Sequence, residues 1–90
     1  MNVKEKILHY LFVYDGEEQG AEKRVEEDLA RELPRKDHKR IGEIIFNAFA
    51  ELRRKGNIEI IPYENMTDNQ RHRSNTENKI FYRIVNKNID

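Results

Sequence analysis

The 90-residue chain has no cysteine and no tryptophan, two prolines, four glycines, and no excess of charge of either sign. Without cysteine, disulfide scaffolds, thiolate zinc sites and cysteine nucleophiles are excluded together. The same lack fits a reducing compartment, so the cytoplasm is expected (the host's, if the gene is viral or plasmid-borne). No apolar run approaches the ~18 residues of a membrane helix. The most apolar stretch, Ile7 to Tyr14, runs into Asp15, Gly16, Glu17 and Glu18 with no small-residue cleavage site. It reads as a buried helix, not a signal peptide. The one serine, Ser74, lies in a polar segment where a nucleophile is not held rigidly. His9, His38 and His72 fall on three different elements, and no pair has metal-ligand spacing. Gly16, Gly20, Gly42 and Gly56 build neither a phosphate loop nor a dinucleotide fingerprint. Nothing marks an enzyme, a metal site, a cofactor site or a small-molecule pocket.

Charged residues make up 38% of the chain and hydrophobic ones 37%, with a mean hydropathy of −0.98. That is polar for a globular chain, where charged residues average roughly 25%. The apolar residues are periodic, however, and the length suits one small domain. Lys+Arg and Asp+Glu number 17 each, which argues against coating DNA by bulk charge. The charge is unevenly placed. Residues 1–33 hold five basic and nine acidic side chains, a net of −4, and residues 34–90 hold twelve and eight, a net of +4.

A first helix is expected over about 2–14, with Val3, Ile7, Leu11 and Tyr14 on one side and Leu8 and Phe12 widening the stripe. A second is expected over about 21–33, with Ala21, Val25, Leu29 and Leu33 aligned, ended by Pro34. Its acidic run Glu26, Glu27, Asp28 reads as a solvated face. A third is expected over about 37–55, with Asp37 as N-cap and Ile41, Ile45, Ala48 and Leu52 on the core side. Gly56 behind Arg53, Arg54 and Lys55 is the expected stop. Strands follow at about 58–63 and 79–85, joined by a polar loop at 64–78. In the second strand Ile80, Tyr82 and Ile84 share one face, Phe81, Arg83 and Val85 the other. Residues 86–90 are expected to fray.

This order, with Asp28-Leu29-Ala30-Arg31-Glu32-Leu33 before a turn and Leu52-Arg53-Arg54-Lys55-Gly56-Asn57-Ile58 leading from helix to strand, resembles the winged-helix family. The likeness covers about Val25 to Val85. It implies an α+β fold, a three-helix winged helix-turn-helix with a C-terminal two-stranded β-hairpin wing. It also implies double-stranded DNA as partner: the third helix in the major groove, the wing on the backbone or minor groove. On that basis Arg40, Glu43 and Asn47 are candidate base readers, because Arg suits guanine, Glu cytosine and Asn adenine. Lys36, Lys39 and Arg54, with Arg71, His72 and Arg73 in the loop, are candidate backbone contacts. A transcriptional regulator acting as a homodimer is the leading expectation. Phe12, Tyr14, Phe46, Phe81 and Val85 are candidates for the dimer surface. A protein-interaction module and a replication or plasmid-maintenance protein are the alternatives.

Overall fold

The computed structural model describes residues 1–89. The elements run α1 (Val3–Val13), α2 (Glu18–Glu32), a 3-10 helix (Arg35–Arg40), α3 (Ile41–Arg54), β1 (Ile58–Ile60), a 3-10 turn (Tyr63–Asn65), α4 (Asp68–Glu77) and β2 (Tyr82–Ile84).

Each long helix has a chemical start or stop and one buried stripe. A capping box opens α1: Asn2 Oδ1 accepts from the Glu5 N–H at 2.9 Å, and the Glu5 carboxylate accepts from the Asn2 N–H at 3.0 Å. Two left-handed residues, Asp15 and Gly16, close it, and the Gly16 N–H returns to Leu11 O at 2.7 Å. Ala21, Val25 and Leu29 form the buried stripe of α2, which ends as Leu33 turns extended before Pro34. Ile41, Ile45, Ala48, Phe49 and Leu52 form that of α3. Gly56, at φ 76°, ends α3 as expected. Asp37 does not cap α3, because a 3-10 helix occupies 35–40 and α3 starts at Ile41 without a side-chain cap.

The three stripes meet in one core with Ile58 and Tyr82. β1 pairs antiparallel with β2, in the register Ile58↔Ile84, Glu59↔Arg83, Ile60↔Tyr82. The chain between α1 and α2 adds a rung on the other side of β2. Glu17 bridges Phe81, and the Tyr82 N–H donates to Gly16 O at 2.8 Å. The fold is thus α+β: three core helices, a two-stranded antiparallel sheet at the C-terminal end and a fourth helix between its strands, a winged-helix-like arrangement.

The hairpin differs from expectation. Its strands are shorter than 58–63 and 79–85, since Pro62 lacks the N–H to extend the ladder. The segment 64–78 is not a loop. It holds part of the 3-10 turn and then α4, opened by a Thr67–Gln70 capping box and closed by left-handed Asn78. Of α4's residues only Gln70 is buried, and its amide donates to Asp15 O at 3.0 Å. Residues 86–89 are held rather than frayed. Buried Asn57 donates to Asn86 O at 2.8 Å and Asn88 O at 2.9 Å, and Ile89 packs against the core. Asp90 lies outside the described residues.

Candidate nucleic-acid interface

With one face of α3 committed to the core, the opposite face is open. Arg40, Glu43, Phe46, Asn47, Arg53 and Arg54 are exposed. Phe46 is 68% exposed, so it does not belong to the core. Gly42 lies on the open side, where an added Cβ would meet nothing within 4 Å.

The 3-10 helix before α3 adds Arg35, Lys36 and Lys39, all exposed. Together with Arg40 and Arg54 these cations form no ion pair among the described residues. Pro34 and the 3-10 geometry crowd four of them into six residues. His38, between them, turns inward, its Nε2 donating to Leu33 O at 3.0 Å. Lys36, Lys39, Arg40, Glu43 and Asn47 therefore lie together at the start and middle of α3. Arg54 stands apart, about 21 Å along the axis from Arg40 at 1.5 Å per residue.

Two of the three wing candidates are engaged elsewhere. Arg71 donates from Nε to Tyr63 O at 3.1 Å and from a terminal nitrogen to Glu64 O at 2.9 Å, and lies over the Tyr63 ring. Arg73 bonds Glu17, reaches Glu77 at 3.5 Å and covers the Phe81 ring at 5.5 Å. Neither is a free cation on a flexible tip. His72 alone of the three is exposed.

Glu17, the partner of Arg73, is 6% exposed and also takes Lys79 at 3.2 Å. Burial pushes its pKa up, but the hydrogen bonds from Arg73 and Lys79 outweigh burial and hold it below the ordinary value. Asp28 is likewise buried, which corrects its reading as part of a solvated acidic face. It accepts from the Tyr10 hydroxyl at 2.6 Å, from Arg31, and from Lys6 Nζ at 3.5 Å. The Tyr10 hydrogen bond and the charge of Lys6 hold its carboxyl below the usual range against the opposing effect of burial. Glu32 also binds Lys6, at 3.0 Å. The acidic half of the sequence is thus partly neutralised from within. Glu22 and Glu26 remain exposed on α2; partial desolvation by its neighbours, and then the charges of Glu18 and Glu26, raise the Glu22 pKa.

No family model, curated protein or solved structure matches the chain. The site is therefore read from its own geometry. Among the described residues, no three His, Cys, Asp or Glu side chains gather as metal ligands. Nor is any helix of the described residues long and apolar enough to cross a membrane.

Sequence reasoning missed Phe46 as part of this face, treating it only as core or dimer surface. Its displacement from the Ile41–Ile45–Leu52 stripe was the available signal. It also missed Arg35, which shares the 3-10 helix with Lys36.

Proposed function

We propose that the protein binds double-stranded DNA with sequence preference, α3 entering the major groove, and acts as a transcriptional regulator of winged-helix type. One observation carries this reading: unpaired cations flank an exposed helical stripe that holds three kinds of base-reading group. Arg40 and Asn47 are seven residues apart, about 10 Å, which spans roughly three base pairs. Arg40 suits guanine, Glu43 cytosine and Asn47 adenine, and Phe46 suits a thymine methyl. Arg35, Lys36 and Lys39 serve phosphates. The wing contributes less than the resemblance implies, since Arg71 and Arg73 are bound within the fold.

The test is fluorescence anisotropy of a labelled duplex at about 50 and 200 mM salt. Lys36→Ala and Lys39→Ala should each flatten the log–log salt slope by about 0.9. Arg40→Ala should cost about 1–3 kcal/mol at a selected site and relax the preference at one position. A slope unchanged in both lysine variants would remove them from the contact. Absence of binding by folded protein would favour the interaction-module reading, for which exposed Phe46 is the supporting observation: an aromatic anchor central to a helix face is a typical hot spot.

Gly42 gives a check that separates stability from function. With open space at its Cβ, Gly42→Ala should stabilise the domain by about 0.5–1 kcal/mol through helix propensity. If the α3 backbone approaches DNA there, the same variant should bind duplex more weakly. A variant that is both more stable and equally tight would place the contact further along α3.

A further inference from the structure

Phe81 is fully buried, yet it lies outside the core that joins α1, α2 and α3. The Arg73 guanidinium of α4 lies over its ring, 5.5 Å from the centre. α4 is a weakly attached cover. Asp68–Glu77 contains no apolar residue, and among the described residues α4 packs closely along no other helix or strand. A detached ten-residue helix is marginal in water, so α4 depends on its anchors. These are polar and converge on the connection between α1 and α2. The buried Gln70 amide donates to Asp15 O at 3.0 Å, and Arg73 bonds the Glu17 carboxylate. Other bonds tie the segment to itself. Arg71 holds Tyr63 O and Glu64 O, Asn75 Nδ2 donates to the Tyr63 hydroxyl at 2.8 Å, and Thr67 pairs with Gln70 in the capping box. Pro62 and left-handed Asn78 bound it.

We propose that residues 63–77 form a lid that opens as one unit while the three-helix core stays folded, with the Glu17–Arg73 pair as its latch and Phe81 as the surface it uncovers. The charges make opening separable from unfolding. Glu17, 6% exposed, also holds Lys79 at 3.2 Å, so it keeps a cation when Arg73 leaves. Arg73 keeps Glu77 of its own helix, at 3.5 Å. Neither charge is then stranded, and stranding is what makes breaking a buried pair expensive. No residue of the main core belongs to the segment, so the helices lose no apolar contact among themselves. Opening exposes an aromatic ring and frees a guanidinium together. The closed and open states therefore present different surfaces. The lid uses no nucleic acid, so it stands or falls independently of the DNA-binding reading.

Amide hydrogen exchange followed by NMR tests it, on the full chain near neutral pH without DNA. After correction for intrinsic rates, the α4 amides should exchange at least about a hundred-fold faster than those of Leu11, Leu29 and Leu52, because a local opening costs less than global unfolding. Low urea should speed the core amides and leave the α4 amides nearly unchanged, since lid opening exposes little surface. Glu17→Gln should speed α4 exchange by a further ten-fold to hundred-fold or so, about the effect of losing one hydrogen bond to a charged group. Arg73→Gln, which touches the latch from the lid side and alters no residue of the main core, should do the same. The double variant should do little more than either single one, because both break one interaction. Amides of α4 as protected as the core, or equally sensitive to urea, overturn the proposal. So does α4 exchange unmoved by both single variants, or a double variant whose effect is the product of the two.

Discussion

Gly16→Ala is expected to remove about half of the domain's stability. Gly16 has φ 85°, and an alanine Cβ built on it would lie 2.3 Å from Tyr82 O. That oxygen belongs to the backbone of β2 and cannot rotate away. The same residue donates to Leu11 O at the end of α1 and accepts from the Tyr82 N–H. One position thus ends a helix and seats the hairpin on the helices. The left-handed conformation alone costs alanine about 1–2 kcal/mol. Displacing β2 should bring the total to about 3–5 kcal/mol, in the range of diagnostic single-site losses. A chain of this size has roughly 5–10 kcal/mol in all. Gly56→Ala is the control, because Gly56 has φ 76° but open space around its Cβ. Urea titration of both variants should show Gly16→Ala losing at least about 2 kcal/mol more than Gly56→Ala. Equal losses would mean that conformation alone matters and that the close approach to Tyr82 relaxes freely.

The contrast between these glycines bears on what was legible in the sequence. Gly56 could be read locally, since it follows a basic run at the end of a periodic stripe. At Gly16 the stop of the first helix was legible, with Asp15, but the tighter constraint was not, because it comes from Tyr82, 66 positions later. The same division runs through the fold. The cores of α1, α2 and α3 were legible because apolar residues recur at three and four. α4 was not, because it has no apolar stripe and is held by polar groups: Gln70 to Asp15, Arg73 to Glu17. The local signal was present in Thr67-Asp68-Asn69-Gln70, a capping box that the weight of Asn and charge in the segment obscured. Arg71 and Arg73 suit wing contacts on sequence for the same reason. A cation in a polar run looks solvated until its distant carboxylate is known. The exposed stripe of α3 was legible as the complement of the buried one, apart from Phe46, whose hydrophobicity suggested burial. Periodicity reports which residues meet the core, whereas ion pairs between remote segments leave no period.

Asp28→Ala is the second large expected loss, and it exposes such a pair. Asp28 and Lys6 are 6% and 8% exposed, and the carboxylate also holds the Tyr10 hydroxyl. Its removal takes the carboxylate partner from the phenol and leaves Lys6 with Glu32 as its remaining acidic partner. Breaking a buried ion pair from one side costs about 3–5 kcal/mol, and the Glu32 contact should keep this case near the lower end. Replacing both partners, as Lys6→Met with Asp28→Leu, should recover much of the loss, because no buried charge is then stranded. The pH profile gives an independent readout. Asp28 and Glu17 are held below their ordinary values of 3.8 and 4.5. Their contribution is therefore fully present well above 4.5 and is lost as pH falls through the lower folded values. The Glu32 hydrogen bond raises Lys6 above 10.5 despite its burial, so its contribution is present below 10.5 and lost as pH rises through the higher folded value. Urea titrations across pH should show a plateau near neutrality with an acid limb and an alkaline limb. In Asp28→Ala the acid limb should shrink but persist, carried by Glu17 under α4 and by Glu51, which Lys4 and Lys55 hold down to about 2. An acid limb of unchanged size would assign the sensitivity to those two carboxylates and make the α1–α2 pair thermodynamically silent.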